Sequence, residues 1–145
     1  MMNIKDLSIG DWVLLKSKPG KVVGINRISP NWETEGIYGV DVLLPVNDTI
    51  VLVSNAEIER VIFLPEIMER NGFRRVEGSS RWLWNLEEDD DLRVVATGLG
   101  TCSFLQYQRY LGDGDWNNIA QMSCVGVNGM QRFFQMTGID KEIVL

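Results

Sequence analysis

Glu87, Glu88, Asp89, Asp90 and Asp91 stand side by side, the sharpest charge feature of the chain. Five adjacent carboxylates would gather a hard cation such as calcium if the backbone curled to converge them. A hairpin loop that stays soluble by staying charged is the simpler account, and no metal is expected there. Asp113, Asp115 and Asn117 place oxygen ligands at the first, third and fifth places of a calcium loop. The sixth place is Asn118 instead of glycine and the twelfth is Cys124 instead of glutamate, so the segment reads as a tight hairpin turn. Gly98, Leu99 and Gly100 make no dinucleotide loop, because Ser103 replaces the third glycine and no helix follows.

Bond-making chemistry is thinly provided. Histidine is absent, which removes the commonest general base, the commonest zinc ligand and every imidazole triad. A nucleophilic Ser103, Ser123 or Cys124 would need a lysine or carboxylate as base, and no lysine lies between Lys21 and Lys141. Glu33, Glu35 and Asp41 could supply a carboxylate pair, but nothing in their spacing selects them. Cys102 and Cys124 lie in strand-like apolar contexts without C-x-x-C spacing and read as two buried free thiols. The chain is therefore expected to be no enzyme and to carry no cofactor.

Binding is better motivated. Trp12, Trp32 and Tyr38 fall in the first half, where Lys16, Lys18 and Lys21 crowd a hairpin. An aromatic strip beside lysines on a small β-unit could grip a peptide or a nucleic-acid strand by stacking plus charge. Against this stands a reading in which Trp12 is core and the lysines solubilise a turn. The 145 residues hold 14 basic and 20 acidic side chains, a net charge of −6, with six against eight in residues 1–64 and eight against twelve in residues 65–145. Neither half is a basic platform, so a protein or peptide ligand is favoured over nucleic acid.

The elements that would position these residues follow from periodicity and punctuation. Residues 12–16 and 22–28 read as strands joined at Lys18, Pro19 and Gly20, with Gly24 at a bend or bulge. A loop over 29–36 precedes a strand over 37–44, in which Tyr38, Val40, Val42 and Leu44 share one face and Asp41 marks the wetter one. Strands at 49–53 and 58–64 complete five, separated by a single turn at 54–57, the pattern of an SH3-like barrel over residues 1–64. Pro65 begins a short helix that Gly72 can cap. Strands then recur at 73–77, 81–86, 92–97, 101–111 and 119–125, an antiparallel meander in which Trp82, Trp84 and Leu86 face a core. A final helix starting at Gly126 or Asn128 carries Val127, Met130, Phe133, Phe134 and Thr137 as its apolar stripe and stops at Gly138. The tail 139–145 is apolar enough to pack.

Three blocks carry a resemblance. They are Ile9-Gly10-Asp11-Trp12-Val13, the segment from Leu64 through Asn71, Gly72 and Phe73, and the closing segment from Val127 to Ile139. On these the chain resembles a family of small uncharacterised Bacteroidetes proteins often encoded in prophage or mobile-element neighbourhoods. Relatives often carry histidine and glutamate where this chain has Asn128 and Gly129, so any metal role of that block would be absent here. The resemblance implies a shared fold and a bacterial or phage setting, and no activity.

The expected architecture is α+β: an SH3-like small β-barrel over 1–64, then a five-stranded antiparallel sheet with a short linking helix and a C-terminal helix over 65–145. No secretory signal and no apolar run of membrane length is read, so a cytoplasmic location is expected. The expected function is a non-enzymatic interaction or accessory protein for a protein or peptide partner. The alternative is a nucleic-acid-associated accessory factor of phage or mobile-element origin.

Overall fold

A computed structural model describes residues 2–26 and 32–145, without the side chains of residues 4, 32 and 33. The chain is α+β and divides into two compact units, Met1–Val61 and Ile62–Leu145. Each unit holds one open, five-stranded antiparallel sheet. Residues 27–28 of the strand expected over 22–28 and residues 29–31 of the loop expected over 29–36 lie outside the described residues, and the rest of that loop holds one helical turn.

In the first unit a 3-10 turn, Ile4–Asp6, leads to β1 (Trp12–Leu15), β2 (Lys18–Asn26), a one-turn helix α1 (Trp32–Glu35), β3 (Gly39–Leu44), β4 (Thr49–Ser54) and β5 (Ile58–Arg60). The strands lie in the order β4-β3-β2-β1-β5, so β5 returns beside β1. The first hairpin turns earlier than its proline and glycine suggest. Lys16 and Ser17, at φ +50° and +65°, form the two-residue connection, and Lys18, Pro19 and Gly20 are already strand, opposite Leu15, Leu14 and Val13. Both positive φ values suit the primed turns whose twist matches a hairpin. Proline is tolerated because Leu15 and Lys18 close the loop as a hydrogen-bonded pair. That makes Leu14 and Pro19 a non-bonded pair, so the missing N–H faces away from β1, where β3 begins to pair only at Lys21.

Glycine matters most at Gly20, where a Cβ would sit 2.4 Å from Val42 Cγ1, and the ladder shifts register between Val22 and Gly24, where the sequence suggests a bend. Val13, Val22, Val40, Val42, Tyr38 and Ile58 fill the core with Met2 and Leu7. Each such side chain contributes roughly 1.5–3 kcal/mol on burial. Buried Asn55 stitches this core to its edges: its Oδ1 accepts the Tyr38 N–H at 3.1 Å, and its Nδ2 donates to the Met2 and Gly36 carbonyls at 2.8 and 2.9 Å.

The second unit opens with helix α2 (Pro65–Arg70), proline at its first turn, Asn71 at the C-cap and Gly72 at φ +86° beyond it. Strands β6 (Arg74–Arg75), β7 (Arg81–Asn85), β8 (Leu92–Thr97), β9 (Cys102–Gly112) and β10 (Asp115–Val125) then pair strictly in sequence. The Asp113 and Gly114 turn, both at positive φ, makes β9 and β10 a long hairpin. Helix α3 (Gly126–Thr137) ends at left-handed Gly138 and packs on β9 and β10, burying Val127, Met130, Phe133 and Phe134. Trp82 is buried and Trp84, half-buried, meets Phe73 and Phe134. Residues 139–145 form no regular element yet bury Ile139 and Ile143. Side-chain amides replace a strand partner here. Gln131 Oε1 accepts the Ile143 N–H, while Asn71 Oδ1 accepts from the Val144 N–H and its Nδ2 donates to the Val144 carbonyl, each at 2.8 Å.

Candidate interaction surface

The first sheet buries one face and turns the other outward. Cross-strand register places Trp12 opposite Lys21, Lys21 opposite Leu43 and Leu43 opposite Ile50, one continuous row on the outward face. Lys21 Nζ lies 5.0 Å from the Trp12 ring centre, so the ammonium covers part of the indole. In the adjacent row Asp41 stands opposite Leu52 and accepts from Asn26 Nδ2 at 2.8 Å. Ile50 and Leu52 are 60% and 62% exposed, although both lie in mid-strand. The surface thus offers an aromatic and apolar band with Lys21 set between Trp12 and Leu43 and with Asp41 in the next row.

Trp12 and Lys21 are the two expected site residues that the fold brings together. Lys16 sits in the hairpin turn and Lys18 opposite Leu15, whose pairing with buried Ile58 puts Lys18 on the other side of the sheet from Lys21. Both are exposed. Trp32 opens α1 and its side chain lies outside the described residues. Tyr38 is removed from any ligand: it is 1% exposed, and its hydroxyl donates to the Met2 carbonyl at 2.9 Å. Burial raises its phenol pKa. An aromatic on the strand face shared by Val40 and Val42 belongs to the core, not to the strip. Leu43, Ile50 and Leu52 were absent from that strip. The signal for Ile50 and Leu52 is residues 49–53, where no polar residue interrupts the run after Thr49 and both faces of the strand are therefore apolar.

The second unit holds three further features. Its cleft of about 300 Å³ is lined by Trp84, Leu86, Glu87, Glu88 and residues 139–142. Lys141 Nζ sits 4.3 Å over the Trp84 ring centre, and burial lowers its pKa against the opposing pull of Glu87. On the sheet face away from α3, Arg93 stacks 3.7 Å over Trp116 and bonds Gln108, while Phe104 and Tyr110 are each 37% exposed. Arg81 lies on the same face, opposite Thr97. The acidic run 87–91 forms the β7–β8 loop, where Asp89 Oδ1 accepts from the Asp91 N–H. Among the described residues no three His, Cys, Asp or Glu side chains converge to hold a metal.

Both cysteines are free, but only Cys124 is buried; Cys102, at the start of β9, is exposed. Burial pushes the Cys124 thiol up to about 12, with Cys102 adding to the rise. Ser103 is buried and its hydroxyl donates to the Thr97 carbonyl at 3.3 Å, so it has no access to a substrate. No family model, curated protein or solved structure matches this chain. No helix among the described residues is long and apolar enough to cross a membrane.

Proposed function

We propose that the chain is a non-enzymatic interaction or accessory protein, cytoplasmic, that holds a protein or peptide partner on the outward face of its N-terminal sheet. The observation that carries this reading is the row Trp12, Lys21, Leu43 and Ile50, continued by Leu52, in which Ile50 and Leu52 stay exposed beside half-buried Trp12 and Leu43. Soluble proteins avoid such contiguous apolar exposure unless something binds it. The strand order β4-β3-β2-β1-β5, with β5 back beside β1 and a long, bulged β2, supports an SH3-like architecture for residues 1–64. The three resemblance blocks support a bacterial or phage setting.

Extended peptides selected from a random displayed library against the folded protein provide the test. Their affinity is expected to fall at least roughly tenfold on Trp12→Ala or Leu43→Ala, with circular dichroism unchanged, and to vary little with salt. Selection of no peptide, or of peptides indifferent to both substitutions, refutes the reading. A nucleic-acid-associated role is favoured by one observation, the Arg81, Arg93, Phe104 and Tyr110 side of the second sheet. Steeply salt-dependent binding of a single-stranded oligonucleotide, lost on Arg81→Glu, would select it.

A further inference from the structure

Two open sheets have four edges, and three of them are guarded. β5 is three residues long and carries Glu59 and Arg60. β6 is two arginines. β10 breaks register twice, between Asp115 and Trp116 and between Asn118 and Ala120. Short length, charge and bulges are the devices by which edges avoid pairing with another chain. β4 has none of them. Its six residues, Thr49, Ile50, Val51, Leu52, Val53 and Ser54, include no charge and no proline, and its ladder with β3 runs without a shift. Among the described residues β4 pairs with β3 alone, leaving its other side an edge.

We propose that β4 pairs antiparallel with β4 of a second copy of this chain across a two-fold axis at Val51. This goes beyond the outward-face reading, because it concerns the strand's edge and its occupant. The sequence of β4 selects a copy of itself. Residues directly opposite in an antiparallel pair point to the same face, so a two-fold pairing must centre on one residue. Centring on Val51 sets Ile50 opposite Leu52 of the partner subunit, twice, and joins the two most exposed apolar side chains of the strand to each other. It also sets Asp48 opposite Ser54 of the partner subunit, whose N–H and carbonyl are already bonded by Glu57, so the new ladder is confined to the two Ile50–Leu52 pairs. Centring on Leu52 instead spends Ile50 against serine. The chosen register extends the outward band of Leu43, Ile50 and Leu52 across both copies. A contact of one short strand from each copy lies below the usual interface size, so the dimer is expected to dissociate on dilution.

Sedimentation of the full chain across a concentration series reads the assembly. At high-micromolar concentration the mass is expected to approach twice the 16.5 kDa of one chain. Ile50→Lys with Leu52→Lys sets lysine opposite lysine at both outer pairs, and the expected result is one chain mass throughout with unchanged circular dichroism. Ile50→Lys with Leu52→Glu sets lysine opposite glutamate in this register only, and the dimer is expected to return. Three results overturn the proposal: a wild-type protein that stays monomeric, a dimer that survives the double lysine variant, or a lysine-glutamate variant that stays monomeric. A monomer that takes an unrelated extended peptide at β4 overturns it in favour of a peptide groove. Trp12→Ala lies off β4 and is expected to weaken peptide binding while leaving the dimer intact, so failure of this proposal and failure of the functional reading are distinguishable.

Discussion

Asn71 offers a sharp test of how the C-terminal unit holds residues 139–145. Its side chain makes three hydrogen bonds of 2.8 Å: one from the Val144 N–H, one to the Val144 carbonyl and one to the Ile67 carbonyl. Asn71→Ala removes all three, but the Ile67 carbonyl still accepts the backbone N–H of residue 71 at 3.1 Å. The uncompensated loss is therefore two bonds, both on Val144. At a net value near 1 kcal/mol each, detaching the segment becomes easier by about 2 kcal/mol, which multiplies its opening equilibrium roughly 30-fold. Buried Ile139 and Ile143, at 7% and 1% exposure, keep the segment docked on average. Hydrogen exchange followed by mass spectrometry reads the effect. Protection of the Ile143 and Val144 amides is expected to fall about 30-fold, while amides of β3 in the other unit keep theirs. Unchanged exchange at Val144 refutes the role given to Asn71 in holding the segment. So does an equal acceleration of every slow amide in the C-terminal unit, because Asn71 would then support the unit globally.

Gly20→Ala pushes a methyl to within 2.4 Å of Val42 Cγ1, and overpacking of this kind costs about 1–3 kcal/mol, read as a lower urea midpoint for the N-terminal unit. Lys16→Asn with Ser17→Gly relieves two positive-φ residues in the first turn and is expected to stabilise that unit by about 0.5–1 kcal/mol in the same assay. An aromatic disulfide reagent is expected to modify Cys102 rapidly and Cys124 only on unfolding, one fast thiol per chain. The fold holds the Cys124 proton up to about 12, against 9.0 ordinarily. Between those values the unfolded chain releases a proton that the folded chain retains, so stability present below pH 9 declines as pH rises through the window. Cys124→Ser is expected to flatten that decline relative to wild type in urea titrations; equal slopes refute the assignment.

What the sequence makes legible is whatever repeats or punctuates. The strand over 92–97 and the helix ending at Gly138 follow from alternation and an apolar stripe, and both occur. Two features resist such reading. Lys18, Pro19 and Gly20 have the composition of a turn, yet the chain turns two residues earlier, because two left-handed residues match the strand twist and proline lies where β2 has no neighbour on one side. Site residues are harder still. Tyr38 and Trp12 are both aromatics near lysines; alternation with Val40 and Val42 already puts Tyr38 on the core side, whereas the outward place of Trp12 shows only once β1 pairs it with Lys21. Ile50 and Leu52 look like ordinary core residues, and Leu43 shares the face that Asp41 marks as wetter; that all three form one outward band follows only from the register of β3 against β4. Membership of a face can be read locally; whether the face is covered depends on which strands become neighbours.

The same dependence explains why both units spend a buried asparagine where no periodic pattern demands one. Asn55 bonds Tyr38 and the carbonyls of Met2 and Gly36, and Asn71 bonds Val144 and Ile67. Each holds one irregular segment whose peptide groups have no strand to pair with, and a primary amide supplies an acceptor and two donors in the geometry of a missing peptide neighbour. Replacement by the isosteric aspartate keeps the acceptor and loses both donors, leaving a carboxylate facing carbonyl oxygens. Asn55→Asp is therefore expected to destabilise the N-terminal unit more than Asn55→Ala, which gives up the Tyr38 bond as well but buries no charge. The reverse order in urea denaturation would show that the amide acts by filling space, and that the Met2 segment is held by packing alone.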